Sequence, residues 1–212
     1  MSDQTLEIIT AERASAIIRS GDEDSARSAM EAAVRGGFKV IEFTLTTPGA
    51  LELIREFSRR DGLVVGAGTV LDPSQVHQAV AAGARFIVSP VTDEAVIEAA
   101  LEADAVPMPG ANTPTELHRA WRAGAPLQKL FPAPAGGPAW LRACLGPMPD
   151  LRVVPTNGVD AVNARAWLAA GACALGFVAS LFDPADLAAG RFDLIEERAR
   201  GLLAEVRSAP IP

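Results

Sequence analysis

Along the chain, a short apolar run gives way eight times to an alanine-rich stretch with helical spacing, the alternation that repeated βα units impose. The runs begin near Ala14, Phe38, Leu63, Arg85, Val106, Pro126, Leu151 and Ala172. Those starts lie about 20 to 25 residues apart, and eight units of about 26 residues would fill the 212 residues. The pattern predicts one α/β domain over residues 1–212, a compact (β/α)8 TIM barrel with a short N-terminal helix at about 3–12. A doubly wound open sheet is the alternative, since five or six such units would build it. The segments VRGGFKVIEF, VAAGARFIVSP, WRAGAPLQKLF and LAAGACALGF each place glycine where a helix must turn before the next strand.

Charge and cysteine content narrow the partners. Twenty-six acidic against nineteen basic residues give a net charge of -7, which opposes binding to nucleic acid or to an anionic membrane. MSDQTLEIITAERA has no basic region leading into an apolar stretch. The uncharged run from Ala166 to Phe182 is interrupted by Gly171 and Gly176, so it reads as helix end, turn and strand. Cys144 and Cys173 sit in apolar surroundings without metal-ligand spacing, which predicts a cytoplasmic, reducing setting and no metal. His77 and His118 share no motif and read as surface residues on helices.

In a barrel of this kind, chemistry sits where strands end and βα loops begin. The chain has seventeen arginines and only two lysines, Lys39 and Lys129. Only lysine can lose its proton and attack a carbonyl. Lys39 falls at the start of the second strand, the wrong end. Lys129 lies in PLQKLFP, a strand with apolar neighbours Leu127, Leu130 and Phe131 that should be buried on both faces. Lowering a lysine from ~10.4 to near 7 corresponds to roughly 4 to 5 kcal/mol against the charged form, which such neighbours could supply. A lysine reaching out from the rim is the competing reading.

Period-two alternation from Phe38 to Thr46 puts Val40, Glu42, Thr44 and Thr46 on one face and Ile41, Phe43 and Leu45 on the other. The second set suits the helices, so Glu42 is expected to point inward. A salt bridge to Arg19 or Lys129 would account for it structurally. An inward glutamate facing an inward lysine is also the pair that Schiff-base chemistry with a proton shuttle requires.

The blocks GGFKVIEFTL, VGAGTVLDPSQ, AGARFIVSP, MPGANTPTEL, QKLFPAPAGG and PTNGV occur together in this order. Through them the chain resembles the 2-keto-3-deoxy-6-phosphogluconate (KDPG) / 4-hydroxy-2-oxoglutarate (KHG) aldolase family, class I pyruvate aldolases. The resemblance implies a lyase needing no cofactor, with pyruvate and an aldehyde as its small-molecule partners, and a homotrimer. It implies Lys129 as the Schiff-base lysine, Glu42 as general acid/base, and Thr69 with the backbone at Gly68 as binder of the pyruvate carboxylate. Pro90 and the Phe131-Pro132 pair would wall the pocket.

Two departures accompany it. Thr46 stands where the family carries an arginine or asparagine that helps hold the substrate carboxylate, and a hydroxyl cannot reproduce a guanidinium's two-point grip. Arg19, at the end of the first strand, is the residue expected to take over that charge. The phosphate-binding glycines are also changed, to Asn157-Gly158 after the seventh strand and Val178-Ala179, followed by Ser180, after the eighth. Rival readings are a barrel isomerase or epimerase, which would not need a buried lysine, and a catalytically relaxed barrel that binds a small keto acid. A Rossmann module is disfavoured because GAGTV lacks the third glycine.

Overall fold

The structure is a computed structural model that describes residues 2–210. From the N-terminus the chain runs α1 (Ser2–Glu12), β1 (Ala14–Ile18), α2 (Glu23–Arg35), β2 (Val40–Thr44), α3 (Ala50–Phe57), β3 (Val64–Gly68), α4 (Pro73–Ala82), β4 (Phe86–Val88) and α5 (Glu94–Glu102). It continues through β5 (Val106–Met108), β6 (Gly110–Ala111), α6 (Pro114–Arg122), β7 (Gln128–Leu130), α7 (Gly137–Leu145), β8 (Val153–Pro155), α8 (Ala164–Ala169), β9 (Leu175–Phe177), α9 (Pro184–Ala188) and α10 (Phe192–Ser208).

The helices begin where the sequence supplies acceptors for their first N–H groups. Asp22, Asp72 and Asp93 accept from the first turns of α2, α4 and α5, and Thr113 and Glu116 cap α6 reciprocally. Pro73 and Pro114 occupy the first turn, where a missing N–H costs nothing. Gly83 and Gly171 end α4 and α8 at φ 109° and 103°, a conformation that a side chain rarely adopts.

The strands form two parallel sheets. One has six strands in the order β5-β4-β3-β2-β1-β9, and the other has three in the order β6-β7-β8. They meet at two places: a parallel bridge joins Thr156, just past β8, to Gly176 of β9, and only Pro109 separates β5 from β6. The eight expected strands therefore appear as nine. Met108 pairs with β4 and Gly110 with β7, and Pro109 between them has no N–H to give either ladder. Four strands begin where the alternation places them or within one residue, and the late ones, such as β9, begin up to three residues later. Ala172 is still spent on leaving α8, donating its N–H to Trp167.

Both faces of the sheet are buried. One face turns Ile41, Phe43, Val65, Ala67, Ile87, Leu130, Val153, Leu175 and Phe177 toward the helices, in one apolar cluster. The opposite face turns Val40, Val64, Phe86, Val88, Val106, Met108, Leu127, Val154 and Ala174 into a second, smaller cluster, joined by Leu6, Ile8 and Ile9 of α1. This helix covers the end at which the strands start, leaving polar residues for the end at which they finish. Among the described residues no helix is long and apolar enough to cross a membrane.

Phe86 is fully buried in the inner cluster, and a Cβ on Gly66 would collide with its ring. Phe86→Ala should therefore lower unfolding stability by about 3 to 5 kcal/mol, read from urea denaturation midpoints. Substituting exposed Leu71 by serine should change it by less than about 0.5 kcal/mol.

Candidate active site

Lys129 and Glu42 stand on the inner face, above the apolar cluster and toward the strand ends. Lys129, in β7, lies between Gly110 and Val154 in register and is 7% exposed. Glu42, in β2, lies between Ile17 and Gly66 and is 1% exposed. Both point inward, which the alternation predicts for Glu42. Gly68 explains part of the GAGT motif, because a Cβ there would fall on the Glu42 carboxylate.

Neither charge is neutralised by a close partner. Among the described residues no ion pair within 4.0 Å reaches Lys129 or Glu42, and Glu42 Oε1 is buried without a hydrogen bond. The Lys129 ammonium sits 5.1 Å from the centre of the Phe131 ring. Burial pushes the Lys129 amine below its ordinary value, opposed by the charge of Glu42 and assisted by that of Arg19. Burial likewise pushes the Glu42 carboxyl up, opposed by Lys129 and Arg19. Each group is thus moved toward its neutral form. Lys39 does lie at the opposite end, paired with Glu12 at 2.6 Å and half exposed.

Around this pair the rim is polar. Arg19 is exposed and donates to Thr69 Oγ1 at 3.1 Å, so its guanidinium pairs with a hydroxyl and not with Glu42. Thr69 holds φ 59°, uncommon for a β-branched residue, just after β3. Thr44 is buried and lies within hydrogen-bond distance of Thr46, at 3.1 Å, and of Thr47, at 3.2 Å. Thr46 itself is exposed at the rim. Phe131 and Pro132 are joined by a cis peptide. Pro90 lies beside Gly110, where a Cβ would meet the Pro90 carbonyl. Sequence reading does not single out Asn112, whose Nδ2 donates to the Pro132 carbonyl at 2.7 Å and extends the β6–β7 ladder past its last residues. The available signal is its position directly after a strand end.

The loops after β8 and β9 lie side by side through the Thr156–Gly176 bridge. Among the described residues, nothing accepts from the backbone N–H groups of Gly158, Val178, Ala179 or Ser180. Ser180 Oγ is buried and unpartnered. Asn157 and Gly158 both hold positive φ, at 62° and 93°. Four free backbone donors on adjacent loops form a surface suited to an anion.

A buried lysine and a buried carboxylate share the inner face of this parallel α/β sheet, an arrangement that suits a lyase working through a Schiff base. The family model for KDPG and KHG aldolase matches residues 6–197. The chain is 42% identical over 141 residues to a 2-dehydro-3-deoxy-phosphogluconate aldolase of Pseudomonas aeruginosa, a match spanning 66% of this chain and 64% of that one. It is 39% identical over 173 residues to the KHG/KDPG aldolase of Escherichia coli K12, covering 80% and 81% of the two chains. A KDPG aldolase from Legionella pneumophila, with pyruvate captured as a covalent carbinolamine intermediate, superimposes with a TM-score of 0.82 at 28% identity, over 94% of this chain and 98% of that one. The chain belongs to the KDPG and KHG aldolase family and is a class I aldolase.

The native pKa of Lys129 lies below that of the unfolded chain, so folding is penalised while the unfolded amine holds a proton that the native one resists. The penalty is full below the native value and vanishes as pH rises through the ordinary 10.5. Lys129→Met should be more stable than wild type at pH 7, with the difference shrinking by pH 10, measured by urea midpoints at both pH values.

Proposed function

We propose that Lys129 forms the Schiff base, Glu42 moves the protons, and the substrate is a 2-keto-4-hydroxy acid cleaved to pyruvate and an aldehyde. The observation that carries this is the buried amine facing a buried carboxylate without an ion pair to lock them. The neutral amine of Lys129 attacks the C2 ketone to give a carbinolamine, and loss of water leaves an iminium. Glu42 takes the C4 hydroxyl proton, directly or through one water, as the C3–C4 bond breaks. The bond's electrons pass to the iminium nitrogen and leave an enamine. Once the aldehyde has departed, Glu42 returns a proton to C3, and hydrolysis frees pyruvate and Lys129.

Thr69 and the backbone at Gly68 are assigned to the pyruvate carboxylate, with Arg19 supplying the positive charge that Thr46 cannot. The hydrogen bond from Arg19 to Thr69 favours this assignment, since it holds the guanidinium at that position. Pro90 and Phe131 wall the pocket. Asn157, Gly158 and Ser180 are assigned to the far end of the substrate, where the free backbone donors gather. We read the two sheets as one eight-stranded (β/α)8 barrel, with β5 and β6 as a single interrupted strand; the Thr156–Gly176 bridge supports closure. Family resemblance supports a homotrimer in the cytoplasm, and the free thiols of Cys144 and Cys173 suit a reducing compartment.

Borohydride reduction in the presence of pyruvate, followed by peptide mass spectrometry, should place one three-carbon adduct on Lys129. An adduct on Lys39, or none, would overturn the mechanism. Lys129→Arg should abolish turnover, because arginine stays protonated. Glu42→Gln should still trap pyruvate while losing about 10²- to 10⁴-fold in exchange of the methyl protons with deuterated water, followed by NMR.

The side chains of Val178 and Ala179 stand where bare glycine backbone would admit a phosphate most closely. The ratio of kcat/KM for KDPG over KHG is therefore expected to stay below roughly 10³, the equivalent of about 4 kcal/mol of phosphate-specific binding. A larger ratio would show that the loop accommodates phosphate despite these side chains.

A further inference from the structure

Beneath the loop that follows β9 lies a charged cluster that the proposed chemistry does not use. Asp186 of α9 is 5% exposed, and its carboxylate accepts from Arg191 Nε at 2.8 Å and from Arg198 Nη2 of α10. These two guanidinium groups hold the Asp186 carboxyl below the usual carboxylate range. The backbone joins in, with the Arg191 N–H donating to the Asp186 carbonyl at 2.9 Å. Arg198 then uses its other terminal nitrogen to donate to the carbonyl of Leu181 at 2.7 Å.

An ion pair with one buried partner and half-exposed guanidinium groups adds little net stability, but it does fix geometry. What this one fixes is specific. Leu181 and Phe182 both return their N–H groups to the carbonyl of Val178, so residues 178–182 form one tight turn. The Leu181 side chain is fully buried and anchors the turn from below. The Leu181 carbonyl is held from the helix side by Arg198. With both ends held, the N–H groups of Val178, Ala179 and Ser180 stay turned away from any internal acceptor.

We propose that Arg198, oriented by Asp186, is a positioning residue that preorganises this turn for the phosphate at the far end of a phosphorylated substrate and leaves the pyruvate half untouched. The inference rests on the assignment of Ser180 and its neighbours to that far end. Arg198 touches neither the lysine nor the carboxylate of the reacting centre. Its effect is to hold three donors in place before the anion arrives, so that their ordering is not charged against binding.

The test compares wild type with Arg198→Leu and Arg198→Lys. KM and kcat are measured for KDPG and for unphosphorylated KHG, with pyruvate trapping and methyl-proton exchange run on each protein. Arg198→Leu is expected to raise KM for KDPG about tenfold, to change KM for KHG by less than about threefold, and to leave exchange within about twofold. Arg198→Lys, which keeps the charge but cannot reach Asp186 and Leu181 through one planar group, should fall between. Equal losses on both substrates and on exchange, or no change on KDPG, would overturn the proposal. If Arg198→Leu does not fold, the KM ratio of Arg198→Lys decides by the same criterion. Absence of a pyruvate adduct in wild type would instead count against the Schiff-base reading itself.

Discussion

Two ionisable groups withdrawn from water, without an ion pair between them, set the terms for the rest of the molecule. An isolated buried charge costs several kcal/mol, so a fold can carry Lys129 and Glu42 only if its other contacts over-determine their positions. The two apolar clusters do this. The outer one fastens the helices to the sheet, and the inner one fills the space below the pair and is closed by α1. Stability lies at one end of the strands, which frees the other end for residues that stability alone would not select.

The rim follows the same division. The polar contacts there run along it, as in the Thr44, Thr46 and Thr47 group and the Arg19–Thr69 bond, and do not reach down to the lysine or the glutamate. Arg19 nonetheless acts on both, since its charge lowers the affinity of each for a proton. An anionic substrate that neutralised Arg19 would therefore let both groups hold protons more readily, coupling occupancy of the rim to the protonation of the reacting pair. The loops after β8 and β9 add a different kind of recognition, made of backbone donors and not side-chain charge. That suits a chain with an overall excess of acidic residues.

Much of this is legible in the residues. The repeat length and the turn glycines specify βα units, and alternation in VIEFT sends Glu42 inward because neighbouring strand residues must point to opposite faces. The scarcity of lysine isolates Lys129 before any coordinates are known. Strand ends are less legible. β7, β8 and β9 begin two or three residues inside their apolar runs, because the first residues of each run are still completing the helix exit, as the Ala172 N–H shows. Pro109 is visible as a proline, but its place between β5 of one sheet and β6 of the other depends on which strands pair on either side of it.

What the sequence determined by itself is local or periodic: the βα repeat, the helix caps at Asp22, Asp72, Asp93 and Thr113, the inward face of β2, and the lysine able to act as a nucleophile. What only the tertiary structure decided is relational. Arg19 could have paired with Glu42 or with Thr69, and only the packing of β1 beside β2, with β3 next in the sheet, sends it to Thr69. Arg198 is one arginine among seventeen in the chain, with no motif around it. Its bond to Leu181 exists because α10 folds back under a turn seventeen residues earlier. Hydrogen bonds and desolvation depend on distances between residues remote in the chain, and those distances are properties of the packed fold, not of any segment of it.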